Sequence, residues 1–246
     1  MEKKKITKNF FDNYHAHLSN GSESIGFYND DYFLKIIKEK YLKNGRKDVI
    51  LRLDEIEHRD AVTPLFLLYD KNKLTGYGAK SYMSYDFLDS IVEDESLSFK
   101  QRKELMIKLA SLFEFFKSKD FAFYDLHYKN ILVKDGDIKL IDLDGGVFKG
   151  LDNDGTTYDW SFRYSNNKIA LLTLSFLFGV EDYTLPNFFN GIYDLEDYID
   201  SLPKELRDYF RNALLNSYNI LFDVPEIIDS ISEEYVEETK RKLLIK

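Results

Sequence analysis

Apolar and polar positions alternate through the first third of the chain. Residues 14–18 (YHAHL), 25–29 (IGFYN) and 31–37 (DYFLKII) read as strands, parted by a loop (SNGSES) and an Asn29-Asp30 turn. Residues 64–69 (PLFLLY) and 74–83 (LTGYGAKSYM) flank the turn DKNK and make a further hairpin. Five antiparallel strands follow from this pattern, with a charged, helical stretch at 38–60 between the third and fourth. From Ser98 the period changes. Ser98 and Gln101 have the spacing of a capping box, and Leu105, Leu109, Leu112, Phe113 and Phe116 recur at helical intervals, which predicts an amphipathic helix over 99–118. Two short apolar runs, 131–134 and 138–143, are separated by Asp135-Gly136-Asp137 and predict a β-hairpin. The run Ile169 to Val180 is too short to span a bilayer and reads as a buried helix from about 168 to 178. Helices are also predicted from 203 to 221 and from 232 onward. Residues 1–13 and 147–167 show no clear period.

Composition narrows the picture. A hydrophobic share of 44% and 16% aromatics in 246 residues argues for a folded core. Without cysteine there are no disulfides and no thiolate chemistry, in keeping with a reducing cytoplasm. The basic start, MEKKKITKNF, lacks the apolar core of a signal peptide. A net charge of −9 leaves no electrostatic footprint for nucleic acid or an anionic membrane. The expected partners are therefore neither.

The candidate chemistry sits at the ends of the 131–143 hairpin. Asp125, Lys129 and Asn130 precede its first strand, and Asp142 and Asp144 close its second. The hairpin returns both ends to one edge, so the Asn130 amide and the Asp142 carboxylate can approach one metal ion, with Asp125 facing whatever that ion holds. Oxygen donors of this kind suit Mg²⁺, which completes its shell with water and phosphate oxygens. A metal and phosphate site is the expectation.

Asp125-x-x-x-x-Asn130, followed by Asp142 at the end of the next strand, resembles the catalytic loop and metal-binding strand of the protein-kinase-like superfamily. The resemblance implies an α+β, two-lobed fold: a five-stranded antiparallel N-lobe over residues 1–82 and a mainly helical C-lobe over 83–246. It implies ATP and Mg²⁺, with Asp125 as base, Asn130, Asp142 and Asp144 as the metal set, and Lys129 near the γ-phosphate. Lys35 would pair with the α- and β-phosphates. Gly21, Ser22 and Ser24 would cover the phosphates, with the Glu23 side chain turned to solvent, and Ser81 and Tyr82 belong to a hinge (80–83) reading the base. Asp48, Glu55 and Glu39 are the candidates for the helix acid that pairs with Lys35. Tyr124 stands where many kinases have an Arg that clamps a phosphorylated loop. Thr156, Thr157, Tyr158 and Ser161 are candidate phosphorylation sites in a short activation loop. His127 reads as structural, bonded to a carbonyl or to Asp142, and His15 and His17 as surface residues.

Asp125-Leu126-His127 and Ile141-Asp142-Leu143-Asp144 are also similar to aminoglycoside and choline kinases. Those families carry a helical insertion between hinge and catalytic loop, and residues 83–124 leave no room for one. The expectation is thus a compact Ser/Thr protein kinase acting on a hydroxyl. The alternatives are a small-molecule kinase, a nucleotide-binding pseudokinase serving as an interaction module, and nucleotidyl transfer with the ATP reversed.

Overall fold

The alternating strands assemble into one sheet: β1 (Glu2–Lys5), β2 (His15–His17), β3 (Ser24–Tyr28), β4 (Tyr32–Ile37), β5 (Phe66–Asp70) and β6 (Lys73–Lys80), in the order β1-β5-β6-β4-β3-β2. The computed structural model describes residues 1–17, 23–42, 45–92, 97–153, 155–178, 199–200, 202–216 and 223–244. The sheet has six strands rather than five, and it is mixed. The unpredicted strand β1 pairs in parallel with β5, from Glu2 beside Phe66 to Lys5 beside Tyr69. All four of its residues are charged, so no hydrophobic period marked it. Phe10, Phe11 and Tyr14 then cover the sheet face formed by Leu34, Phe66 and Leu68.

Turn chemistry explains the connections. Asn29 Oδ1 accepts from the backbone N–H of Asp31 and Tyr32, closing the β3–β4 turn. Lys71 and Asn72 both take positive φ between β5 and β6, the geometry of a tight two-residue hairpin turn. Gly76 permits the close approach of β6 to β4, because a Cβ there would lie 1.9 Å from the Lys35 carbonyl oxygen.

The stretch 38–60 is not one helix. It divides into a 3-10 turn (Glu39–Tyr41), helix α1 (Arg46–Arg52) and a second 3-10 turn (Leu53–Glu55). The break is at Gly45, which has φ 90° and packs so tightly that a Cβ would meet the Asp152 carbonyl. Beyond α1 the chain docks on the hairpin: Ala61 bridges Leu140, Leu140 N–H donates to Asp60 O, and Val62 N–H donates to Leu140 O.

Strand β7 (Asp86–Phe87) and helix α2 (Leu88–Val92) lead to α3 (Phe99–Ser118), which starts at the predicted capping box: the Ser98 hydroxyl accepts from Gln101 N–H and Gln101 Oε1 from Ser98 N–H. Strand β8 (Phe121–Ala122) follows, then the hairpin β9 (Ile131–Lys134) and β10 (Asp137–Leu140), turned by Asp135 and Gly136 at positive φ. The second strand ends earlier than predicted, because Ile141 turns its N–H to Asn130 O and Asp142 enters the left-handed region at φ 63°. Strand β11 (Val147–Phe148) pairs with β8, and β12 (Asp152–Asn153) with β13 (Thr156–Thr157).

Helix α4 (Tyr158–Phe178) begins some ten residues before its apolar stretch, since its first turns carry Asp159, Arg163 and Asn166. Tyr158 and Ser161 therefore lie in a helix, not a loop, and Ser161 is buried. Helices α5 (Lys204–Arg211), α6 (Val224–Ser230) and α7 (Glu233–Leu244) complete the described chain. The predicted 203–221 helix is α5 continued by a π-turn (Asn212–Asn216), its last residues lying outside the described ones. The main core joins α3, α4 and the hairpin through Leu109, Leu112, Phe116, Ile131, Leu140 and Leu174. Burial of this apolar area, at roughly 25 cal/mol per Å², is what fixes the hairpin's position.

Candidate functional site

A cavity of about 460 Å³ opens between β3, β4 and β6 on one side and the hairpin on the other. Its walls differ in character. Phe33, Val62, Ala79, Met83, Leu132 and Ile141 give it apolar lining, and Lys35, Lys129, Asn130 and Asp142 bring charged and polar groups to the same space. Ser24, Gly26 and Tyr82 also line it, whereas Ser81, Asp125 and Asp144 do not.

Asp144 lies behind the cavity with no solvent exposure. Its carboxylate accepts from Lys35 Nζ and the Tyr77 hydroxyl, both at 2.8 Å, and from Arg46 Nε at 2.8 Å, with Arg46 Nη2 at 2.7 Å. Burial alone would push this carboxyl up, but the charges of Lys35 and Arg46, with the Lys35 and Tyr77 hydrogen bonds, outweigh it and hold the pKa down to about 2. The same balance, burial opposed by Asp144 and then Asp142, raises Lys35. Burial and the Asp144 charge push the Tyr77 hydroxyl far up, so it stays a donor. Lys35 Nζ also stands 3.2 Å from Asp142 Oδ1.

None of the three acids considered for Lys35 reaches it. Glu39 pairs with Lys73, Glu55 pairs with Arg52, and Asp48 is exposed in the first turn of α1. Helix α1 instead sends Arg46 to Asp144, and the other arm of that guanidinium takes Glu23 at 2.6 Å. The Glu23 carboxylate, expected in solvent, is thus half-exposed and bound. Arg46 and Tyr77 escaped the sequence reading. The register that sets Lys35 beside Tyr77 is a signal for Tyr77, as both then project on one sheet face; Arg46 has no local signal.

On the loop after β8, the Asn130 side chain donates through Nδ2 to Asp125 O at 2.7 Å and Asp125 Oδ2 at 3.2 Å. This bond orients both residues and leaves the amide oxygen of Asn130 as an acceptor. His127 Nδ1 accepts from Lys129 N–H, and its Nε2 lies 3.6 Å from Asp125 Oδ1, so it faces Asp125 and not Asp142. Asp125 is half-exposed. Asp142 is 40% exposed in its left-handed conformation, and such outliers gather at functional positions. Gly21 and Ser22 lie outside the described residues; Ser24 is in β3 opposite Ile37. Ser81 N–H is already given to Asp31 O, and Tyr82 O accepts from Tyr85 N–H.

Beside residues 82–85, Lys139 joins Asp137 at 2.6 Å and buried Asp60 at 3.4 Å, with the rings of Tyr82 and Tyr85 at 5.8 and 5.9 Å. This cluster pins residues 58–62 and 82–85 to β10. Among the described residues, no helix is long and apolar enough to cross a membrane.

No protein-family model matches the sequence, and no curated protein matches it. Among solved structures, the chain is similar to the twitchin kinase region from C. elegans (Fn31-NL-kin-CRD-Ig26), at 15% identity and a TM-score of 0.65 over 99% of this chain. It spans about half of that structure, 51%. At this identity the likeness speaks for the fold: the chain has a protein-kinase-like fold.

Proposed function

We propose that this chain is a Mg²⁺-dependent phosphotransferase that takes ATP in the cleft and passes its γ-phosphate to a hydroxyl. One observation carries the reading: one cavity is lined both by apolar side chains suited to a flat base and by Lys35, Lys129, Asn130 and Asp142. The donor set fits the ion. Among the described residues no three or more His, Cys, Asp or Glu gather to hold a metal by themselves. Asn130 and Asp142 offer oxygens only, which suits a hard cation that shares its shell with phosphate and water. Bound there, Mg²⁺ would neutralise charge on the transferring phosphoryl group.

The chain's own residues do the rest. An ammonium has three donors; Asp144 and Asp142 engage two from Lys35, and a phosphate oxygen takes the third. Lys129 is exposed at the cavity wall and meets the γ-phosphate. Asp125, held by Asn130, accepts the proton of the attacking hydroxyl. Asp144, proposed from sequence as a metal ligand, serves here as the anchor that positions Lys35, since both its oxygens are already engaged.

A second reading, a nucleotide-binding interaction module without turnover, is favoured by Arg46, a cation where the resemblance calls for an acid. ADP release in the presence of Mg²⁺ separates the two. Asp125→Asn should keep nucleotide binding and lose about 10²- to 10⁴-fold in turnover. Equal turnover in wild type and Asp125→Asn overturns the role of Asp125, and binding with no turnover in either favours the interaction module.

A further inference from the structure

Beside Asp125 stand three aromatic rings that the cleft does not use. Trp160 is the chain's sole tryptophan and is 49% exposed. Its ring stacks on Tyr164, one turn further along α4, with centroids 5.0 Å apart and planes at 15°. Tyr124 meets it edge-on at 5.4 Å. An indole braced on two sides yet open to solvent is a preorganised surface, its rotamer entropy already given up.

This surface is continuous with Asp125. Tyr124 precedes Asp125 in the chain. Burial first, and then the charge of Asp125, raises the pKa of both the Tyr124 and Tyr164 hydroxyls. Lys168, one turn past Tyr164, has its Nζ 5.3 Å from that ring, and it too feels Asp125, though burial lowers its pKa. Rings, ammonium and carboxylate border one patch.

The chemistry of an occupant follows. Electron-rich ring faces suit a flat molecule that presents C–H bonds to the ring and hydroxyls at its rim. A peptide acceptor would want an extended backbone partner. Between Asp144 and α4, however, the strands β11, β12 and β13 are only two residues long each, too short to hold an extended peptide by added pairing. Lys168 borders the patch with positive charge, against a polycationic acceptor.

We propose that Tyr124, Trp160 and Tyr164 form the acceptor platform, and that the acceptor is a saccharide without amino groups, phosphorylated on a ring hydroxyl. The proposal rests on the phosphotransferase reading above. The hydroxyl oxygen bonds to the γ-phosphorus as the bond from that phosphorus to ADP breaks. ADP leaves with the electron pair, and the hydroxyl proton passes to Asp125 and then to water. Trp160 touches no reacting atom and sets specificity.

Because Trp160 is the sole tryptophan, its emission reports this patch alone. With ADP and Mg²⁺ present, the full chain is titrated with methyl glucoside, N-acetylglucosamine and glucuronate, and in separate arms with kanamycin and a Ser/Thr peptide mixture. A saturable change with at least one saccharide, and none with kanamycin or the peptides, is expected. In turnover assays Trp160→Leu should raise KM for that saccharide about tenfold with kcat little changed, and Trp160→Phe should restore most of it. A response confined to kanamycin or the peptides, or no response in protein that binds ADP by calorimetry, overturns the platform. Failure to bind ADP contradicts the phosphotransferase reading instead, and the saccharide titration then decides the platform by itself.

Discussion

Asp144 and Asp125 are the same side chain in opposite settings. Asp144 is sealed from solvent, bound to Lys35, Arg46 and Tyr77, and held down at about 2. Asp125 is half-exposed, with the Asn130 amide at 3.2 Å and the His127 ring at 3.6 Å. A carboxylate saturated by cations builds structure and positions Lys35. One left partly open at a surface is within reach of a bound molecule. On the function proposed above, Asp144 is the anchor and Asp125 the reagent, while Asp142 is 40% exposed and only 3.2 Å from Lys35.

That contrast can be broken from either side. The largest effect on the protein should come from Asp144→Ala, which removes the buried carboxylate shared by Lys35 and Arg46 and leaves them only the part-exposed Asp142 and Glu23; about 3–5 kcal/mol of stability should be lost, read from urea unfolding midpoints. Asp125→Ala should move the same midpoints by less than about 0.5 kcal/mol, as an exposed side chain does. A smaller effect is expected from Arg46→Met, which removes one of the two cations but leaves Lys35 and Tyr77 on Asp144; about 1–3 kcal/mol should go, with weaker nucleotide binding because Asp144 then draws Lys35 more strongly. A further test is pH. A folded pKa below the unfolded one gives stability that is complete above about pH 4 and is lost as pH falls toward 2. Urea midpoints should fall across that window in the wild type, and a flat profile would contradict the anchor.

The hairpin and α3 were legible because their signals are local: Asp135-Gly136 for the turn, and Ser98 with Gln101 for the cap. The cleft residues Lys35, Lys129, Asn130 and Asp142, read from spacing and resemblance, come together along one cavity. What escaped depends on distant partners. Arg46 meets Asp144 across 98 positions, and no local period announces it. Asp142 and Asp144 look alike at the end of a strand; only the chain's turn at φ 63° sends one to the cleft and the other to the core. The break at Gly45 answers to the Asp152 carbonyl far along the chain, so 38–60 read as continuous helix. Strand β1 is charged and gains its place by pairing with β5 rather than by burying an apolar face.

In the proposed function the cleft holds a nucleotide through Asn130 and Asp142 with Mg²⁺. The most direct test of this is a titration of wild type and Asp142→Ala with mant-ATP, each with Mg²⁺ and with EDTA. Wild type should bind at least about tenfold more tightly with Mg²⁺ than with EDTA, and Asp142→Ala should bind equally weakly in both. A Mg²⁺-dependent gain of the same size in Asp142→Ala, or no binding by the wild type in either condition, would contradict the account.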